Sequence, residues 1–242
     1  MTAVALQGDL WMGDAPLMRN LSLDMPAGRW SCLLGPSGVG KSTIARLIAG
    51  LPGPQQLRGS LEAGDGLPLA GRVALMAQGG QLLPWADLVR NVTIGARLRG
   101  TRPDVGRAHE LLAQVGLAGM ERRRPSELSG GQGQRVALAR VLIEDAQVVV
   151  LDEPFSALDT ATRLAMQDLA ARLLKGRTVI LITHDPLEAL RLADRAWILA
   201  REGAETLSLP DTPSPRDFRA PDVLAAQAAL LARLQGDAAC AG

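Results

Sequence analysis

The chain has 242 residues, 47% apolar and 21% charged, with a formal net charge of +1. That length allows one large α/β domain with a substantial core, and near-neutrality supplies no global field for a nucleic-acid partner. No apolar run reaches the about 18 residues of a membrane span and no secretory pattern opens the chain, while Cys32 and Cys240 make neither a metal cluster nor a disulfide framework, so a reducing compartment is expected.

In chain order, residues 1–29 carry apolar stretches at 4–10 and 21–25, broken by Gly13, Pro16 and a Pro26-Ala27-Gly28 turn, which predicts short antiparallel strands. Trp30 reads as a packing residue. A strand at 30–34 then meets Gly35, Pro36, Ser37, Gly38, Val39, Gly40, Lys41, Ser42 and Thr43. This fits the G-x-x-x-x-G-K-[ST] spacing in the strand–loop–helix setting that the motif needs. The glycines let successive backbone N–H groups and a helix N-terminus face one anionic centre. Lys41 then supplies a mobile charge to the β- and γ-phosphates, and Ser42 a hydroxyl for magnesium. Nucleoside triphosphate binding is the expectation, but the loop alone does not separate kinases, GTPases, helicases and transport ATPases.

Helical spacing at 43–51 stops at Pro52-Gly53-Pro54, and 59–63 and 72–77 read as strands. From 78 to about 143 the texture is helical, with stretches at 87–98, 103–115 and from 131 or 132 to 143. Three such stretches in succession favour an inserted subdomain over crossover helices of a doubly wound sheet. Residues 147–151 form a buried parallel-type strand that ends in Asp152-Glu153-Pro154. A helix at 160–174, a strand at 178–183 ending at His184-Asp185, a helix at 187–192 and a strand at 195–200 follow. Beyond Gly203, proline-containing loops lead to a weakly amphipathic helix at about 223–234.

Two acids at the end of a buried strand are informative, because an unpaired interior carboxylate is costly. Asp152 suits a magnesium shell and Glu153 suits accepting a proton from an attacking water, against the plainer alternative of a turn or helix cap. His184 on spacing alone is a surface histidine; on the same carboxyl edge as the two acids it is placed to contact a γ-phosphate. His109 stays a surface residue. Ser129, Gly130, Gly131 and Gln132 form a polar turn that opens a helix and can cradle phosphate by the same physics as the first loop. One nucleotide hardly needs two cradles in one chain. A two-chain sandwich, each chain lending its second cradle to the other, resolves this.

With these residues in that order, the chain resembles the nucleotide-binding subunit of an ATP-binding-cassette transporter over nearly its whole length to about residue 201. The resemblance implies ATP and Mg2+ as cofactors and a P-loop NTPase fold, class α/β, of mainly parallel sheet with an antiparallel β subdomain and an inserted helical subdomain. It implies one cassette domain over 1–242, with 1–77 and 146–205 as nucleotide-binding core, 78–145 as helical signature subdomain and 206–242 as a short tail. It assigns Gln78 to the magnesium and the attacking water, Asp159 to the loop that meets the opposite subunit, and His184 to the switch position. Trp11 is placed where the family usually stacks an aromatic ring on adenine. The stretch Leu82-Leu83-Pro84-Trp85 resembles importers of nitrate, sulfonates, taurine or thiamine precursors; a turn proline with a packing tryptophan is the plainer reading. Two departures stand out: Gly133 should loosen the first turn of the signature helix, and Gly79-Gly80 should loosen the segment that couples to the membrane partner.

The implied partners are a second copy or similar cassette, an integral membrane permease and an extracytoplasmic solute-binding protein, with the chain peripheral on the cytoplasmic face of the membrane. Efflux coupling, a soluble cassette ATPase of DNA repair or translation, and a nucleotide-binding regulator without turnover are the competing readings. The last is separated by ATP hydrolysis in the reconstituted complex.

Overall fold

The computed structural model describes residues 2–240, with side chains through residue 234. Its centre is a six-stranded sheet in the order β5-β6-β7-β3-β8-β9, where β3 is Trp30–Leu34, β5 Val73–Met76, β6 Val148–Asp152, β7 Thr178–Thr183, β8 Arg195–Ala200 and β9 Gly203–Leu207. All pairs but the last are parallel. Strands β3, β6 and β7 are buried along their whole length, so both faces must be apolar and their sequences run without polar alternation. Val149, Leu151, Val179 and Leu181 point into one core, and Val148, Val150, Ile180 and Ile182 into the other. Residues one apart on a strand serve opposite layers.

A three-stranded antiparallel sheet, β2-β1-β4, is built from β1 Val4–Met12, β2 Ala15–Met25 and β4 Gln55–Ala63. It shares its core with α1 (Lys41–Ile48) through Leu6, Leu10, Met18, Val39 and Ile44. Between β5 and β6 come only helices: α2 (Leu88–Val92), α3 (Ile94–Leu98), α4 (Val105–Gln114) and α5 (Gly130–Leu142). The face opposite α1 carries α6 (Thr160–Leu173) and α7 (Pro186–Leu192) in one core with α2, α4 and α5; α8 (Pro221–Cys240) packs on α7. Among the described residues no helix is long and apolar enough to cross a membrane. Cys32 is buried and free, burial pushing its thiol pKa well up; the side chain of Cys240 lies outside the described residues.

Several expected boundaries move. Helix α1 stops at Ile48, because Gly50 turns left-handed at φ 65° before the prolines are reached. The single helix expected at 87–98 is broken at Thr93, whose hydroxyl donates to the Val89 carbonyl at 2.8 Å and whose backbone leaves the helical region. Strand β9 stands where only loops were expected: it is a half-exposed edge strand, so its sequence lacks the apolar run of its neighbours.

Candidate functional site

The strand order decides the site. With β5, β6, β7 and β3 side by side, the segments after their carboxyl ends meet: Gln78 after β5, Asp152 and Glu153 at the end of β6, His184 after β7 and the glycine loop after β3. A cavity of about 380 Å³ there is lined by Ser37, Gly38, Gly40, Lys41, Ser42, Thr43, Gln78 and Glu153, together with the apolar side chains of Met12 and Leu17. Gly40 is required by its setting: φ is 114°, and a Cβ would stand 2.7 Å from Leu17 Cδ2. Gly35, Pro36 and Val39 do not line the cavity. Val39 is buried in the core, and the carbonyls of Gly35 and Pro36 accept from Lys41 Nζ at 2.7 and 2.9 Å.

Lys41 is thus folded back on its own loop. Its ammonium also stands 3.9 Å from Glu153 Oε1, and burial pulls its pKa down against the pull of Glu153 and Asp152 upward. Glu153 is 8% exposed and occupies a left-handed backbone conformation at φ 50°, rare for a residue with a side chain and held here by its N–H donating to the Ile182 carbonyl at 2.9 Å. Its Oε2 is hydrogen-bonded to His184 Nδ1 at 2.6 Å. One carboxylate in the lining of the cavity therefore meets both a cation and an imidazole.

Asp152 is buried with Oδ1 unpartnered among the described residues. Burial pushes its pKa up, while a hydrogen bond from Ser42 pulls it down. An orphaned carboxylate oxygen beside a hydroxyl is the donor set of a hard divalent cation.

Other expected residues lie elsewhere. Ser129, Gly130, Gly131 and Gln132 open α5 away from the cavity, and Ser129 and Gln132 cap the helix reciprocally, side chain to backbone, at 3.3 and 3.0 Å. Asp159 caps α6 through the Thr162 N–H at 3.1 Å, outside the cavity. Trp11 does not line the cavity: the Arg58 guanidinium lies 3.7 Å from its ring centroid, and the neighbouring Met12 lines the cavity instead. The two-residue period of β1, with Val4, Leu6 and Leu10 inward, already carries the signal that puts Met12 on the face of Leu10 and Trp11 on the opposite one. The plainer reading of Trp85 also fails, since that side chain is 71% exposed and packs no core.

A larger cleft of about 990 Å³ runs past Asp24, Arg29, Asp194 and Arg195. Four of its charges are paired with one another, Arg195 with Asp24 at 2.9 Å and Arg29 with Asp194 at 3.6 Å.

The family model described as ABC transporter matches residues 18–156, which spans the glycine loop, the Ser129 turn and the Asp152-Glu153 pair. The chain belongs to the ABC transporter family. It is an ATP-binding, ATP-hydrolysing subunit of that family, whose ATPase subunits typically pair and work on a membrane permease. The cassette is 48% identical over 192 residues to the aliphatic sulfonates import ATP-binding protein SsuB 1 of Rhodococcus jostii (strain RHA1), covering 78% of this chain and 76% of that one. It is 43% identical over 225 residues to SsuB of Rhodopseudomonas palustris (strain BisA53), covering 92% and 79%. Among solved structures, it matches the dimeric post-hydrolysis state of the ATP-binding cassette MJ0796 bound to ADP and Pi, with TM-score 0.70 and 27% identity over 90% of this chain and all of that one.

Proposed function

We propose that two cassettes close head to tail on ATP and drive import of an aliphatic sulfonate, or a similar small organic anion, through a separate membrane permease served by an extracytoplasmic binding protein. The chain then sits at the cytoplasmic face of the membrane. The solute class rests on the names of the sulfonate-importing relatives and on the Leu82–Trp85 stretch. The pairing rests on the site's one-sidedness: the cavity offers a phosphate loop, while the Ser129 turn of the same chain opens α5 elsewhere. Residues 78–145 act as the helical unit that brings the Ser129 turn to the partner's nucleotide.

The observation that carries the chemistry is the shared carboxylate of Glu153, set 3.9 Å from Lys41 and 2.6 Å from His184. Glu153 takes a proton from water as its oxygen attacks the γ-phosphorus and the bond to the β-phosphate oxygen breaks, giving ADP and phosphate. Lys41 turns from the Gly35 and Pro36 carbonyls to the phosphates, and the loop N–H groups offset charge that develops on the transferring group. His184 holds the Glu153 carboxylate in place and reaches the γ-phosphate, and Gln78 orients the water. Magnesium would be held by Ser42, Gln78 and Asp152, where it supplies Lewis-acid charge neutralisation.

Glu153→Gln tests this. ATPase turnover should fall by about 10²–10⁴-fold, while ATP still binds and now holds a dimer visible by size-exclusion chromatography with light scattering. Turnover near wild type would remove Glu153 from its role, and a monomer at saturating ATP would remove the sandwich.

A further inference from the structure

The hydrogen bond between Glu153 and His184 joins two segments far apart in the chain, one after β6 and the other after β7. The sheet sets the backbone of Glu153 through its bond to the Ile182 carbonyl. Strand β7 ends at Thr183, however, so the ladder no longer holds His184. The His184 side chain is 54% exposed, with Glu153 as its one hydrogen-bond partner among the described residues. Where the imidazole stands therefore depends on what fixes the backbone on its far side.

That hold comes from the first turn of α6. Arg163 Nη1 donates to Asp185 Oδ2 at 3.2 Å, and Nη2 donates to the Leu158 carbonyl at 3.0 Å. Asp185 follows His184 directly, and its other oxygen accepts from the Leu187 N–H at 2.9 Å to start α7. Leu158 ends the loop that follows Glu153. That loop is wound on itself, Ser156 Oγ donating to the Glu153 carbonyl at 3.1 Å and the Leu158 N–H to the Phe155 carbonyl at 3.3 Å, with Phe155 buried beneath it. One guanidinium thus closes a ring that runs from Glu153 through its loop to Arg163, Asp185 and His184, and back to Glu153.

A second arginine ties the same two helices without closing the ring. Arg191, in the last turn of α7, donates to Gln167 Oε1 at 2.7 Å and Asp168 Oδ1 at 2.6 Å, both on α6. Each guanidinium leaves its Nε buried and unpartnered among the described residues. Arg191 is the more deeply buried, its side chain 8% exposed against 31% for Arg163. Arg191 is the stronger structural tie, and Arg163 is the one that touches the segments of the reacting pair.

We propose that Arg163 is a positioning residue for hydrolysis: it bridges Leu158 and Asp185 so that the His184 imidazole meets the Glu153 carboxylate in register for an attacking water. It lies outside the cavity lining and acts through the spacing of two segments. A planar guanidinium reaches two acceptors in a fixed fork, whereas an ammonium meets one as a point charge. Small misplacements of a group that must meet a water cost turnover far more than they cost binding. The inference rests on the reading of Glu153 as the base.

The test is steady-state ATP hydrolysis by the full chain, with kcat and KM separated and urea midpoints measured on the same preparations. Arg163→Gln should lower kcat by about 10–10²-fold and leave KM for ATP within about threefold, since the phosphate loop is untouched. Arg163→Lys keeps a charge beside Asp185 but cannot hold both acceptors; it should lower kcat by less, and it carries the test if Arg163→Gln does not fold. Arg191→Gln should lose more stability than Arg163→Gln yet keep kcat within about threefold, as a tie remote from the reacting pair. Asp185→Asn retains the α7 cap and weakens the fork, so it should lower kcat by itself and add little to Arg163→Gln in the double variant. Parental kcat in both Arg163 variants, an equal kcat loss in Arg191→Gln, or losses that multiply in the double variant would overturn the proposal. Glu153→Gln would then still lose turnover and leave the site standing. Parental turnover in Glu153→Gln would instead remove the reading of the base and this inference with it.

Discussion

A carboxyl group sealed into a helix start with no cation of its own must hold its proton or destabilise the fold. Glu188, on the first turn of α7, is 2% exposed. Its surroundings are the Thr183 hydroxyl, which donates to it, and the carboxylates of Asp185 and Glu153, while Arg163 spends its charge on Asp185 at 3.2 Å. Burial pushes its pKa up from 4.5 to about 7. Between those values the folded chain keeps a proton that the unfolded chain has lost. Stability is therefore full below about pH 4.5 and declines as pH rises toward 7, by on the order of 3 kcal/mol for this group. Asp152, raised for the same reason, adds a slope of the same sign. Glu188→Gln, neutral throughout, should remove most of the first contribution: urea midpoints at pH 5 and pH 8 should converge relative to the parent. An unchanged gap would mean that Glu188 ionises in the fold without cost.

Among elements, the segment after β5 shows how far local sequence reaches. Gly79-Gly80 reads as a loose joint; in the structure both residues are left-handed, at φ 73° and 70°, and the Gly80 and Gln81 carbonyls accept from the Arg140 guanidinium on α5. The joint is tied across 60 residues of sequence, a contact no local pattern announces. Gly80→Ala should cost about 1–2 kcal/mol for the left-handed backbone, plus the crowding of a Cβ 3.2 Å from Ala137 Cβ. Gly79→Ala has the same backbone strain and open space around it, so chemical denaturation should rank Gly80→Ala as the more damaging; equal losses would deny the packing contact. What sequence did reveal follows the same line. The buried strands β3, β6 and β7 and the polar residues at their ends were legible because a buried parallel strand needs an unbroken apolar run, and the loop after β3 because its glycine spacing is tied to one geometry. The break at Thr93, the edge strand β9 and the left-handed Glu153 were not, since each depends on a neighbour distant in the chain or on a single hydrogen bond. Trp11 was placed by resemblance to the family, and in the structure it does not line the cavity, whereas its neighbour Met12 does.

At the scale of the whole molecule, the two most exposed large apolar side chains among the described residues lie on the helical side. Trp85 at 71%, Leu98 at 80% and Val105 at 46% exposure all belong to the stretch between β5 and β6. Trp85 follows the tied joint directly: the Leu83 N–H before it donates to the Asn91 side chain at 2.7 Å, which in turn donates to the Ala86 carbonyl at 3.1 Å. The turn is thus rigid while its tryptophan is bare, the arrangement of an anchor residue presented to a partner rather than of a core residue that missed its place. Six residues separate Gln78 in the cavity lining from Trp85 at the surface, so a partner seated on Trp85 would feel the state of the cavity through one short, braced stretch. Trp85→Ala should leave folding stability within about 0.5 kcal/mol, as for a surface substitution, and leave the isolated chain's ATPase unchanged. In the complex with the permease it should cost about 2 kcal/mol or more of association, roughly thirtyfold in affinity, as loss of an anchor does, and abolish the stimulation of ATPase by transported solute. Retention of both would place the permease contact elsewhere on the helical face and leave the bare tryptophan without a partner.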